Sequence, residues 1–171
     1  MMLAVARAGL FLLVLYASWM GMLLVHEAGH MLHAVGRGGT VAGVDFPLLG
    51  FSQTHVEPNP HPLLVAWGGP IWGSLLPLAA WLVTHRLRVR GRKLAQFFAG
   101  FCLIANGAYV ALGWTLDTGD AADLRGMGTP EWLMLVIGLA AMAGGLLLWH
   151  MLGSAMDLLR RRARPGLHDR G

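Results

Sequence analysis

Leu23-Leu24-Val25-His26-Glu27-Ala28-Gly29-His30-Met31-Leu32-His33 decides how this chain is read, because it sets histidines and a glutamate at the end of a long apolar run. The run itself, Ala8 to Val25, holds no charged residue and no proline. As a helix it rises about 27 Å from Ala8 to His26, close to the ~30 Å of a bilayer's hydrocarbon core. Its apolar core is too long for a secretory signal peptide, and no small-residue cleavage site follows. Three further runs are long enough to span: Pro62 to Val83, Leu94 to Leu116, and Trp132 to Met156, where His150 is the lone titratable group. The expected fold is an all-α integral membrane protein, a single membrane-embedded domain over 1–171. It has four transmembrane helices and a small β-hairpin in the first connector.

Composition agrees. Of 171 residues, 56% are hydrophobic and 13% charged, half the roughly 25% charged share of soluble domains. That excludes disorder, a coiled coil and a polar nucleic-acid module. One cysteine, Cys102, excludes a disulfide framework and a cysteine-based metal cluster. The 24 glycines suit helices that pack closely in lipid.

Charge placement sets an orientation. Of the 13 Lys and Arg residues, all but Arg37 and Arg125 precede span one, separate spans two and three, or follow span four. The basic segments therefore share one face, and the positive-inside rule puts both termini in the cytoplasm. The basic runs read as anchors at anionic headgroups, not as a nucleic-acid surface. The bilayer is the expected partner, at the cell membrane. The Arg-rich tail after Leu159 is expected to fray.

The longest irregular stretch runs from Arg37 to His61. Gly38-Gly39 ends the first helix; Thr40 to Phe46 and Gly50 to Val56 read as two short strands, closed by Pro58 and Pro60. The expected hairpin lies on the membrane surface.

His26 and His30 are four apart, so on a helix both imidazoles reach one metal ion. Glu27 stands beside that face, placed to take a proton from water. This is the HExxH pattern of two zinc ligands and a general base. Two histidines and a glutamate at the end of a membrane helix are costly without a function. His33 lies on the same face and reads as an interfacial or supporting residue. His55 and Glu57 flank the hairpin and are weaker candidates, and His150 is too far along its span to share the ion. A catalytic zinc site needs a third protein ligand and an open position. Asp117, Asp120 and Asp123 cluster just after span three, at a similar height to His26, and at least one of them is expected to serve. Asp120 is also well placed as the N-cap of a short helix.

These residues resemble the site-2 protease family of membrane zinc metallopeptidases. His26, Glu27 and His30 match its first motif, and Gly68-Gly69-Pro70 is similar to its central Gly-Pro element. Gly119-Asp120-Ala121-Ala122-Asp123-Leu124 resembles the divergent ligand segment of small members. The likeness covers roughly residues 18 to 125. It implies an intramembrane zinc metalloendopeptidase with Zn2+ on His26, His30 and Asp120, Asp123 being the alternative third ligand, and Glu27 as general base. The substrate it implies is a membrane protein or membrane-associated peptide. Asn106 either polarises a substrate carbonyl or makes a helix–helix hydrogen bond. Val41 to Phe46 is a candidate edge for an unwound peptide, and Gly69 with Gly73 a candidate face for another helix. The chain departs from the family where Asp-Gly-Gly becomes Asp-Ala-Ala, where the preceding prolines are missing, and in placing the site towards the outer face. The competing readings are a catalytically inactive scaffold or metal-binding protein of the same fold, and a membrane redox protein. The last lacks the inward carboxylates that a four-helix iron site needs.

Overall fold

The computed structural model describes residues 2–117 and 119–162. It is mostly helical, with five helices and one two-stranded sheet. Helix α1 spans Met2–Gly36, so the first span and the HExxH segment form one unbroken rod. A Schellman closure ends it: Gly38 takes φ +79°, its N–H reaches the Val35 carbonyl at 3.3 Å, and the Gly39 N–H reaches Ala34 at 2.8 Å.

Strands β1 (Val41–Asp45) and β2 (Gln53–Val56) pair antiparallel, with Val44 opposite Thr54 and an irregularity between Val41 and Gly43. Both are shorter than the sequence suggests, since Pro47 and Gly50 break the extended run between them. The hairpin's tip does not lie across the helix ends. It folds down along α1, where the Tyr16 hydroxyl donates to the Leu48 carbonyl at 3.0 Å and Phe51 meets Trp19 edge-on at 6.1 Å. Tyr16 lies about 15 Å of helical rise before His26. The reason is composition: Leu48, Leu49 and Phe51 are apolar and exposed, and they follow the apolar middle of α1 rather than its polar end.

Helix α2 (Pro62–Arg86) starts with proline at its first turn, where the missing N–H costs nothing. Helix α3 (Arg92–Leu112) continues into a 3-10 turn, Gly113–Leu116. The short α4 (Gly119–Gly126) and the long α5 (Glu131–Arg162) complete the chain. The first three arginines of the basic tail are thus helical; Arg164, His168 and Arg170 lie outside the described residues. Helices α1, α2, α5, and α3 with its 3-10 extension are long and apolar enough to cross a membrane.

α2 packs between α1 and α3, and α5 packs on α3. Glycines mark the crossings. A Cβ on Gly68 would lie 2.6 Å from the Gly29 carbonyl, and one on Gly107 2.6 Å from the Gly138 carbonyl. Such backbone contact without intervening side chains is how apolar helices associate where burial alone offers no driving force. α4 is seated by Ala121 and Leu124, both fully buried against Ala66, Val110 and Met134. Arg125 ties it down, bonding Glu131 at 2.8 Å and lying 5.2 Å over the Trp114 ring.

Candidate metal centre

The rod of α1 carries His26, Glu27 and His30 into the space enclosed by α2, α3 and α4, where they are 7%, 3% and 4% exposed. Their ligand atoms lie within 4.8 Å of one another, so the group could hold a metal ion. Each imidazole is fixed from behind. His26 Nδ1 is 2.7 Å from Asn106 Oδ1, and His30 Nδ1 is 2.7 Å from the Val65 carbonyl. The Asn106 amide orientation is set by its Nδ2, which donates to the Cys102 carbonyl at 3.0 Å. Both partners of the Nδ1 atoms are acceptors, so each Nδ1 carries the proton and donates. In the neutral rings, Nε2 is then left as a lone pair.

Those lone pairs converge on one oxygen. Asp120 Oδ2 is 2.8 Å from His26 Nε2 and 3.0 Å from His30 Nε2. Two lone pairs and a carboxylate facing each other have no donor among them, and a shared cation resolves the conflict. The two imidazole ring centroids lie 4.8 Å apart. The donor set of two imidazole nitrogens and a carboxylate oxygen is one that zinc accepts.

α2 leaves room for this arrangement. A Cβ on Gly69 would fall on the Nε2 atoms of both histidines, and one on Gly73 would sit 2.9 Å from the Asn106 amide. The Gly69–Gly73 face is therefore filled by α1 and α3 of the same chain and is not a landing place for a further helix. Asn106, 2% exposed, makes the helix–helix bond of the two alternatives, and that bond orients His26.

Asp120 apart, the remaining candidates fall away from the pair. Asp120 lies in the first turn of α4 rather than at its N-cap. Asp123 is one turn on, exposed, with its carboxyl pushed up by partial burial and by the charge of Asp120. Asp117 is exposed at the end of the 3-10 turn, with φ 51°. His33 repeats the His30 pattern one turn later, its Nδ1 donating to the Leu64 carbonyl at 2.6 Å, outside the metal-holding group. His55 instead pairs with Asp45 at 2.8 Å across the hairpin, Glu57 is exposed, and so is His150.

Glu27 is within reach of the ion's place, yet its oxygens are already engaged. Ser52 Oγ donates to Oε1 at 2.6 Å and Thr54 Oγ1 to Oε2 at 2.5 Å. Asp120 thus meets both imidazoles directly, whereas the Glu27 oxygens meet Ser52 and Thr54. Neither hydroxyl stands out in the sequence; the signal is the alternation of Ser52, just before β2, with Thr54 and Val56 within it. Tyr109 is likewise unmarked. Its ring lies 6.1 Å from His26 and stacks on Phe51 at 5.9 Å, and its hydroxyl occupies the place of a Cβ on Gly119. Gly119 at φ +67° thus lets α4 begin with Asp120 against the histidines. A cavity of about 1270 Å³, lined by His26, Glu27, His30, Tyr109, Asp120 and Thr54 among others, opens beside them. No protein-family profile, curated protein or solved structure matches the chain.

Proposed function

We propose that this chain is an intramembrane zinc metalloprotease of the site-2 protease type, hydrolysing peptide bonds in membrane-associated substrates. The observation that carries the reading is the convergence of His26 Nε2, His30 Nε2 and Asp120 Oδ2, beside the carboxylate of Glu27 and among four span-length helices. His26, His30 and Asp120 would hold the ion. When bound, zinc supplies Lewis acidity, which acidifies water and polarises a peptide carbonyl. Glu27 takes the proton of the attacking water and passes it to the nitrogen of the breaking C–N bond. Asn106 and the Val65 carbonyl hold the two imidazoles in a single tautomer throughout. The cavity is roomy enough for an extended segment, so a helical substrate unwinds before it is cut, and the outer edge of β1 offers it backbone partners.

Glu27→Gln tests the chemistry. It keeps size and polarity but cannot accept the proton at neutral pH. Zinc content stays near wild type while cleavage of a single-span reporter falls by ~10²-fold or more. Undiminished cleavage, with contaminating proteases excluded, sinks the reading. The distribution of Arg and Lys supports an orientation in the cell membrane with both termini on the cytoplasmic side. In a protein lacking Cys102, single cysteines in the 37–61 connector should label from outside intact cells and one replacing Arg90 should not; the reverse pattern inverts the topology.

A further inference from the structure

Glu27 lies next to His26 on α1 and has three rotatable side-chain bonds, with a large cavity at its side. Its carboxylate reaches the same space as the two imidazoles. Left free, such a group either swings onto the ion as a ligand or points into the cavity, and in neither place is it a base at the correct position. We propose that Ser52 and Thr54 are positioning residues for Glu27, fixing both carboxylate oxygens so that the group is reserved as base while Asp120 completes the ligand set. This rests on the reading of the site given above.

The geometry suits the role. Ser52 and Thr54 are two apart on an extended chain, so their hydroxyls point to one face, while Gln53 and His55 point outward and are exposed. One hydroxyl meets each oxygen, at 2.6 and 2.5 Å. Each oxygen keeps a second lone-pair direction for water, so the clamp orients the base without consuming it. The strand that carries the hydroxyls is itself held on several sides. Thr54 is paired with Val44 in the sheet, Phe51 is wedged against Trp19 and Tyr109, and Tyr16 holds the tip at Leu48. Ordered support of this kind matters, since an ångström of misplacement at a reacting group costs up to about 10²-fold in rate. On this reading, the hairpin belongs to the chemistry as well as to substrate handling.

The test separates hydroxyl from shape. Thr54→Val keeps the shape and removes the donor; Thr54→Ser keeps the donor and removes the methyl. With a fluorescent single-span reporter and zinc-loaded protein, Thr54→Val lowers kcat ~10-fold at unchanged KM and zinc content, and Thr54→Ser recovers most of the rate. Ser52→Ala/Thr54→Val loses ~10²-fold, and Thr54→Val costs nothing further when Glu27 is already Gln. A second readout needs neither metal nor activity. In the metal-free protein, the melting shifts of Glu27→Leu and Thr54→Val fall short of adding in the double variant, because both remove the Thr54–Glu27 bond. Additive melting shifts, or a Thr54→Ser variant as slow as Thr54→Val, overturn the proposal. Full cleavage by Glu27→Gln would instead overturn the protease reading, on a variant that leaves Ser52 and Thr54 intact.

Discussion

The two ends of this bundle are held together by different physics. Where α1, α2, α3 and α4 meet, buried polar groups are chained: Cys102 carbonyl to Asn106, Asn106 to His26, His26 and His30 to Asp120, His30 to Val65, Glu27 to Ser52 and Thr54. Where α3 meets α5, the contact is Gly100 on Gly145, Gly107 on Gly138, and the side chains of Ala99, Leu103 and Leu148. The seam uses small residues to bring backbones together, and the side-chain hydrogen bonds across it, Gln96 Nε2 to the Leu148 carbonyl and Trp149 Nε1 to the Phe97 carbonyl, both end on backbone. The polar end needs its members paired, because a buried donor or acceptor left without a partner is costly. The seam tolerates chemistry-free repacking and resists added volume. Substitutions should therefore act on metal binding at one end and on fold stability at the other.

The largest effect belongs to Asp120. Removing it leaves two imidazole lone pairs with no carboxylate opposite, so Asp120→Ala should lose most bound zinc. The loss should exceed the ~10–100-fold typical of a residue that merely supports a ligand. Asp123→Ala and Asp117→Ala should keep the metal, since both side chains are exposed and neither bonds a histidine. Metal analysis of the three purified variants decides it. Loss confined to Asp123→Ala would mean that α4 is displaced by a turn from its position here.

How much of this was legible follows the same divide. His26, Glu27 and His30 could be read because their geometry is local, fixed by one helix's periodicity. The spans could be read from length and composition, although α1 runs further at both ends than its apolar core because nothing before Gly38 stops it. Asp120 was legible only as one of three carboxylates plus a family likeness. What selects it is Gly119 turning beneath Tyr109, a contact that no local pattern announces. Ser52 and Thr54 were not legible. Their partner lies 25 and 27 residues away, and a strand's alternation tells which residues share a face but not which helix that face meets. The hairpin's course along α1 was hidden for the same reason.

A smaller effect tests whether the chain of polar groups acts as one unit. Asn106→Ala removes the acceptor of the His26 Nδ1 proton without adding volume beside Gly73. That ring is then free to flip or to change tautomer, and zinc affinity should fall ~10–100-fold, read by competition with a chelator of known strength. An unchanged affinity would show that His26 is held by packing alone, and the distinction between a polar end and an apolar seam would lose its main support.

The smallest effect on the metal is expected at the seam. A Cβ on Gly107 would meet the Gly138 carbonyl at 2.6 Å and the Met142 nitrogen at 2.9 Å. Both are backbone atoms that cannot rotate away, so α3 and α5 must move apart. Overpacking of this kind costs about 1–3 kcal/mol, seen as a lower melting temperature of Gly107→Ala. Asn106 is the residue before Gly107, about 100° further round α3, with its side chain against Gly73 of α2. If the two ends are independent, the folded fraction of Gly107→Ala binds zinc as tightly as wild type. If affinity falls in step with stability, moving α3 away from α5 has pulled Asn106 off His26. The seam would then set the position of the ligands, and the division between the two ends would have to be replaced by a single mechanical unit.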